Sequence, residues 1–268
     1  MDKALVSLIT PTGTRPEALA LCEKYLLRQT YTGPMQWIVV DDSPEQLIDD
    51  TKQPLEWEAL RKASASKKTV ARRNKGELTI EKYIGPKKWY PGINTQRPNM
   101  QEGISHVSGD FVFVIEDDDW YHQEYIETFV YLMQRYAVVG EGCNKYYSLR
   151  DRKYWTLGNH YHASLCSTAM KRMALPLLDE AINSGDLFPD ISFWQKCIEK
   201  WKLPRLLALH LNLGIGIKQM PGRKGIGGGH SPNDTVFKSD PGYNILKEWV
   251  GADDAAIYVK IMQESLSK

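Results

Sequence analysis

Long apolar runs are missing from this sequence. Phe111 to Ile115 is short, and Leu203 to Ile217 is interrupted by Pro204, Arg205, His210 and Asn212. A bilayer span needs ~18 uninterrupted apolar residues, so none is expected. Cysteine is scarce: Cys22, Cys143, Cys166 and Cys197 stand apart without C-x-x-C spacing. That pattern excludes a zinc knuckle and a disulfide framework and predicts buried free thiols. With 20 Gly and 14 Pro among 268 residues, collagen-like and low-complexity chains are excluded as well. The start, MDKALVSLITPTG, enters a strand-like run with no leader pattern, from which a cytoplasmic protein is expected.

What remains, 42% hydrophobic and 25% charged residues, suits one large globular domain over 1–268 with no internal repeat. A chain of this length buries about three-quarters of the surface its unfolded form exposes, without help from disulfides. The formal net charge of +1 hides a local imbalance. Residues 61–97 hold eleven Lys/Arg against two Glu, a net of +9, which leaves −8 for the rest of the chain.

The order of elements points to an α/β fold with a mostly parallel sheet flanked by helices. Leu5–Ile9 reads as a strand, TPTGTRP as a loop, and the Leu19, Cys22, Leu26 spacing as a helix stripe. A second strand, Met35–Val40, ends at Asp41-Asp42-Ser43 and completes a parallel βαβ unit. A helix over Pro98–His106 leads into the strand Phe111–Ile115, which stops at Glu116-Asp117-Asp118-Asp119. Further on, the pattern predicts a helix over His122–Arg135 and a hairpin within Lys145–Ala169 turning at Asp151-Arg152. Helices over Lys171–Ser184 and Asp190–Trp201, a strand over Leu206–Ile217, a Gly-rich loop over Gly222–Asp240 and a last helix over Asp253–Leu266 complete the expectation. Within the single domain, residues 121–268 are expected to form a smaller antiparallel and loop-rich portion beside 1–120.

Open α/β sheets bind ligands outside the carboxyl ends of their strands. Three polar clusters stand there: Thr10 to Arg15, Asp41-Asp42-Ser43 and Glu116 to Asp119. Four consecutive acids repel one another, so something positive must sit among them. Hard oxygen donors of this kind suit Mg²⁺ or Mn²⁺ together with substrate phosphates. Carboxylates two apart on an extended chain share a side, which leaves Glu116/Asp118 and Asp117/Asp119 as two pairs.

The order LVSLITPTGTRPEAL, WIVVDDSP and GISHVSGDFVFVIEDDDW resembles the N-terminal, nucleotide-sugar-binding half of GT-A-fold glycosyltransferases, closest to the family-2 type. The resemblance covers residues 4–135 well and the remainder loosely. It implies that Thr10, Pro11, Thr12, Arg15, Asp41 and Asp42 hold the nucleotide, and that the acidic run is a DXD motif. In that motif Glu116, Asp118 and Asp119 bind the metal and Asp117 the donor; the family's D-x-D-D reads E-D-D-D here. The Arg-Asn pair of the family's preceding helix corresponds only weakly to Arg97 and Asn99, with Pro98 between them.

Inverting members use a carboxylate at the start of a later helix as general base, which implies Asp190, with Asp186 in reserve. Independently, an acceptor hydroxyl must lose a proton to a carboxylate on the face opposite the leaving diphosphate. Asp190 would equally serve as a helix N-cap. In the loop GIKQMPGRKGIGGGH, Arg223 and Lys224 suit a departing diphosphate, and His230 resembles the family's additional metal ligand. His160 and His162 share one side of a strand with no companion ligand and are expected to pack.

The basic segment 61–97, interleaved with Trp89 and Tyr90, is what a surface that tracks a phosphate backbone and stacks bases uses. The favoured acceptor is accordingly a hydroxylated base in DNA, as in phage-type DNA modification, with a UDP-sugar as donor. A saccharide or lipid-linked acceptor would also account for the charge. A nucleotidyltransferase is the rival enzyme, although TPTGTRPEA carries one Gly where such enzymes have a Gly-rich loop. A non-catalytic nucleotide- or DNA-binding module is the third reading.

Overall fold

The computed structural model describes residues 3–43, 67–73, 76–90, 93–186, 188–222 and 237–267. The first strands follow the apolar runs: β1 (Val6–Thr12), β2 (Met35–Asp41), β3 (Lys67–Arg73), β4 (Gly76–Ile84), β5 (Phe111–Val114) and β6 (Trp120–Tyr121). They are followed by β7 (Val138–Gly142), β8 (Lys145–Ser148), β9 (Lys153–Thr156), β10 (Thr168–Lys171), β11 (Arg205–Leu209), β12 (Gly214–Lys218) and β13 (Lys238–Ser239). The helices are α1 (Pro16–Leu27), α2 (Gln96–Ser105), α3 (Tyr125–Leu132), α4 (Leu175–Asn183), α5 (Pro189–Glu199), α6 (Asn244–Val250) and α7 (Ala252–Leu266).

The large sheet has the order β11-β7-β10-β5-β1-β2-β4-β3. Within it β1 pairs in parallel with both β2 and β5, β2 with β4, and β7 with β11, while β3 and β10 run against their neighbours. Strands from both halves of the chain share this sheet. Its central strands are buried on nearly every residue because both faces are covered, and side-chain alternation sorts their apolar residues. Leu8, Trp37, Val39 and Phe113 face a core built with α1, α3 and α7; Ile9, Ile38, Val40, Val112 and Val114 face one built with α2, α4 and α5. Two close approaches need glycine: a Cβ on Gly103 of α2 would lie 2.5 Å from Ile9 Cγ2, and one on Gly140 of β7 would lie 2.4 Å from Trp194.

A second sheet, β13-β9-β8-β12-β6, contains the expected hairpin, with Arg152 at φ 50 in its turn. The single strand expected over Leu206–Ile217 is instead two strands in two sheets. His210 and Asn212 adopt positive φ, and the buried Glu141 carboxylate accepts the backbone N–H groups of Asn212 and Leu213. The break carries the chain from β11 in the large sheet to β12 in the small one. No helix among the described residues is long and apolar enough to cross a membrane.

Candidate active site

Parallel pairing brings three strand ends to one edge. Thr12 stands opposite Asp41, Asp42 N–H donates to Thr12 O at 3.2 Å, and Ile115 N–H donates to Ile9 O at 2.9 Å. The acidic run therefore turns away from β5 beside the ends of β1 and β2. In that turn Glu116 N–H donates to the buried Tyr121 hydroxyl at 2.9 Å.

The four carboxylates are divided between two cations. Arg15, in the turn between β1 and α1, donates to Asp118 Oδ2 at 2.8 Å and to Asp117 Oδ1. The Thr12 hydroxyl donates to the other oxygen of Asp117 at 2.6 Å. Lys218, the last residue of β12, lies 3.3 Å from Glu116 Oε2 and 3.4 Å from Asp119 Oδ1, and Ile217 N–H donates to the same Asp119 oxygen at 2.9 Å. The small sheet thus supplies half of the counter-charge to a turn that belongs to the large one.

Burial and like charge pull these groups apart. Burial pushes Asp117 up to about 7 against the pull of Arg15, with Asp118 and Glu116 adding to the rise. For Asp118 burial acts in the same sense, but the Arg15 and Lys218 charges outweigh it and hold the carboxyl below the usual range. Burial raises Asp119 well above that range despite Lys218.

Asp42 is fully buried, and Asn99 Nδ2 of α2 donates to its Oδ2 at 2.7 Å. Asn99 Oδ1 is buried with no partner among the described residues. Asp41 caps the turn by accepting Ser43 N–H at 2.8 Å, and Ser43 Oγ in turn accepts Thr14 N–H at 2.6 Å. Pro11 stands opposite Val40 on β1 and is partly buried. Thr10 is fully buried, and its hydroxyl accepts the Trp37 indole N–H at 2.9 Å, which ties it to the sheet.

Asp190 is the second residue of α5, so it is not the N-cap; Phe188 holds that position and gives no side-chain cap. Asp186 is exposed, and the Ser184 hydroxyl donates to it at 2.7 Å. Hydrogen bonds from Ser184 and Ser192 hold its pKa low, which weakens it as a proton acceptor. Arg223, Lys224 and His230 lie outside the described residues. Gly222, just before them, packs on the site: a Cβ there would lie 2.8 Å from Thr14 O and 2.9 Å from Arg15 Cγ.

The donor set fits a divalent cation. Ligand atoms of Glu116, Asp119 and Cys166 lie within 4.8 Å of one another, so Cys166 Sγ joins two of the expected carboxylates while Asp118 is turned to Arg15. Reasoning from the sequence missed Cys166 and Lys218. The one visible signal for Lys218 was a lone cation closing the otherwise apolar GIGI run.

Residues 94–201 match the model of glycosyl transferase family 2. This segment, less than half of the 268-residue chain, is similar to family-2 glycosyltransferases. The matched segment contains Asn99, the acidic turn, Cys166 and Asp190; the helix-flanked, mostly parallel α/β sheet that was expected belongs to the chain as a whole, with strands on both sides of that segment. Arg15 and Lys218 lie outside it. Among curated proteins none matches the chain.

Solved structures similar to it include TarS 1–349 of S. aureus, at 15% identity and TM-score 0.49, covering 81% of this chain and 60% of that one. Another is the mannosyltransferase PcManGT of Pyrobaculum calidifontis in complex with GDP-Man and Mn²⁺, at 14% identity and TM-score 0.47, covering 81% and 57%. This chain therefore spans about 60% of the length of the TarS structure. With TM-scores below 0.5, neither likeness decides the fold, which rests on the sheet order.

Proposed function

We propose that this chain moves a sugar from a nucleotide sugar to an acceptor hydroxyl in a metal-dependent, inverting reaction. The observation that carries this is the four-carboxylate turn at the carboxyl edge of β5, inside the family-2 segment. A UDP-sugar is the donor favoured by the resemblance. Asp42, beside Asn99 with its unpartnered Oδ1, is suited to a nucleotide base, which needs buried donors and acceptors of fixed direction.

Glu116 and Asp119, with Cys166 next to them, would hold Mn²⁺ or Mg²⁺. When bound, such an ion supplies positive charge to offset the diphosphate as it leaves. Arg15 keeps Asp117 and Asp118 paired and the turn in place. Arg223 and Lys224 would meet the leaving group, and His230 would join the ligands. Asp190, the second residue of α5, would take the proton of the acceptor hydroxyl. Incubation with UDP-sugars and Mn²⁺ should release UDP. In Asp190→Asn, turnover should fall by about 10²–10⁴ with donor binding kept; full turnover would remove Asp190 from this role.

For the acceptor we favour a hydroxylated base in DNA. The support is the charge of 61–97 and its position: Gly85 N–H donates to Asp41 O at 2.9 Å and Trp89 N–H to Asp42 O at 3.4 Å, with Lys87, Lys88 and Tyr90 exposed beside them. A saccharide or lipid-linked acceptor would leave hydroxymethylated DNA unmodified by mass analysis while UDP release continues with the other substrate.

A further inference from the structure

Lys218 touches both of the carboxylates that a divalent ion would use. Its Nζ lies 3.3 Å from Glu116 Oε2 and 3.4 Å from Asp119 Oδ1, and these two side chains with Cys166 form the one group of clustered metal-ligand atoms among the described residues. The lysine side chain is 12% exposed, and its ammonium lies 5.5 Å from the centroid of the Tyr146 ring. Arg15 is occupied by the other two acids, so it cannot relieve Glu116 and Asp119 if Lys218 leaves.

An ammonium and a divalent ion on the same two oxygens repel strongly at such distances in a buried site, so they cannot both stay. Lysine suits a resident that must move, because its compact charge rides on a flexible four-carbon stem. We propose that Lys218 is the internal counter-ion of the Glu116–Asp119 pair, that it competes with the divalent cation for that pair, and that once displaced it pairs with the donor's diphosphate. The inference rests on the metal-dependent transferase reading. It makes cation and donor binding cooperative: each alone displaces or strands a charge, whereas together they satisfy both. Such coupling is reciprocal.

The test measures Mn²⁺ affinity of the full chain by the electron paramagnetic resonance of free Mn²⁺, with and without UDP. In the unaltered protein UDP should tighten Mn²⁺ binding at least about tenfold. In Lys218→Gln, Mn²⁺ alone should bind at least about tenfold tighter than in the unaltered protein, and the gain from UDP should shrink to about threefold or less. A merely structural ion pair would leave Mn²⁺ affinity unchanged or weakened by the substitution, and that result overturns the proposal.

Amine labelling of the unaltered protein, read by mass spectrometry, needs no variant. Lys218 should be protected in the empty protein, labelled with Mn²⁺ alone, and protected again with Mn²⁺ and UDP. Protection that does not change overturns the proposal. If Mn²⁺ binds neither protein even with UDP, the metal-dependent reading itself fails. If it binds both equally, only the role of Lys218 does.

Discussion

Arg15 is one guanidinium facing two carboxylates, and its planar fork is what allows it to serve both. Replacing it with Met would leave Asp117 and Asp118 buried beside Asp119 without their counter-charge. Removing one partner of a buried pair costs about 3–5 kcal/mol, so Arg15→Met should lower the unfolding free energy in urea by that order. Arg15→Lys should recover only part of it, because a point charge cannot donate to two acids in parallel. Its sequence context, a polar loop between strand and helix, announced a ligand contact; that it would bind the protein's own acids was not visible. The pairing depends on β1 and β5 being neighbours, although Arg15 and Asp117 are 102 positions apart.

At the scale of elements, α7 is tied to α1 and β6 through one buried acid. Asp254 accepts Lys24 Nζ at 2.8 Å, Arg28 Nη1 at 2.7 Å and the Trp120 indole N–H at 2.7 Å. Burial opposes its ionisation, but these hydrogen bonds win and its pKa is lowered. A depressed carboxyl stabilises the fold fully above its unfolded pKa of about 3.9, and that contribution is lost as pH falls through the lower folded value. Asp254→Asn should therefore cost about 2–3 kcal/mol at pH 7 in denaturant unfolding, and the gap to the unaltered protein should close below about pH 4.

A second contact between elements is steric. Any side chain at Gly140 meets Trp194 at 2.4 Å and Ala163 at 2.5 Å, so Gly140→Ala should destabilise by about 1–3 kcal/mol and lower the melting temperature. The helices and most strands were legible as amphipathic or apolar runs. The β11/β12 break was not, because its cause is a remote acid, Glu141, capping two backbone N–H groups.

Over the whole molecule the charge is separated. A local +9 across 61–97 stands against −8 elsewhere, in a chain whose net of +1 predicts nothing by itself. Part of the basic segment, Lys87 and Lys88, is exposed where the backbone meets Asp41 and Asp42. If this face tracks a phosphate backbone, duplex affinity should fall linearly on a log–log plot between about 50 and 200 mM salt, and Lys87→Ala/Lys88→Ala should reduce the slope by about 2. Affinity indifferent to salt would remove the electrostatic case for a nucleic-acid acceptor.

The sequence alone determined the alternation of strand and helix, the sheet covered on both faces, and the gathering of acids at a strand's end, because these follow from local periodicity and from where a parallel sheet must open. Which charges meet was decided only by the tertiary structure. Arg15 arrives from the first crossover and Lys218 from a strand of another sheet, and no spacing along the chain encodes a contact made by packing one sheet's end against the other's.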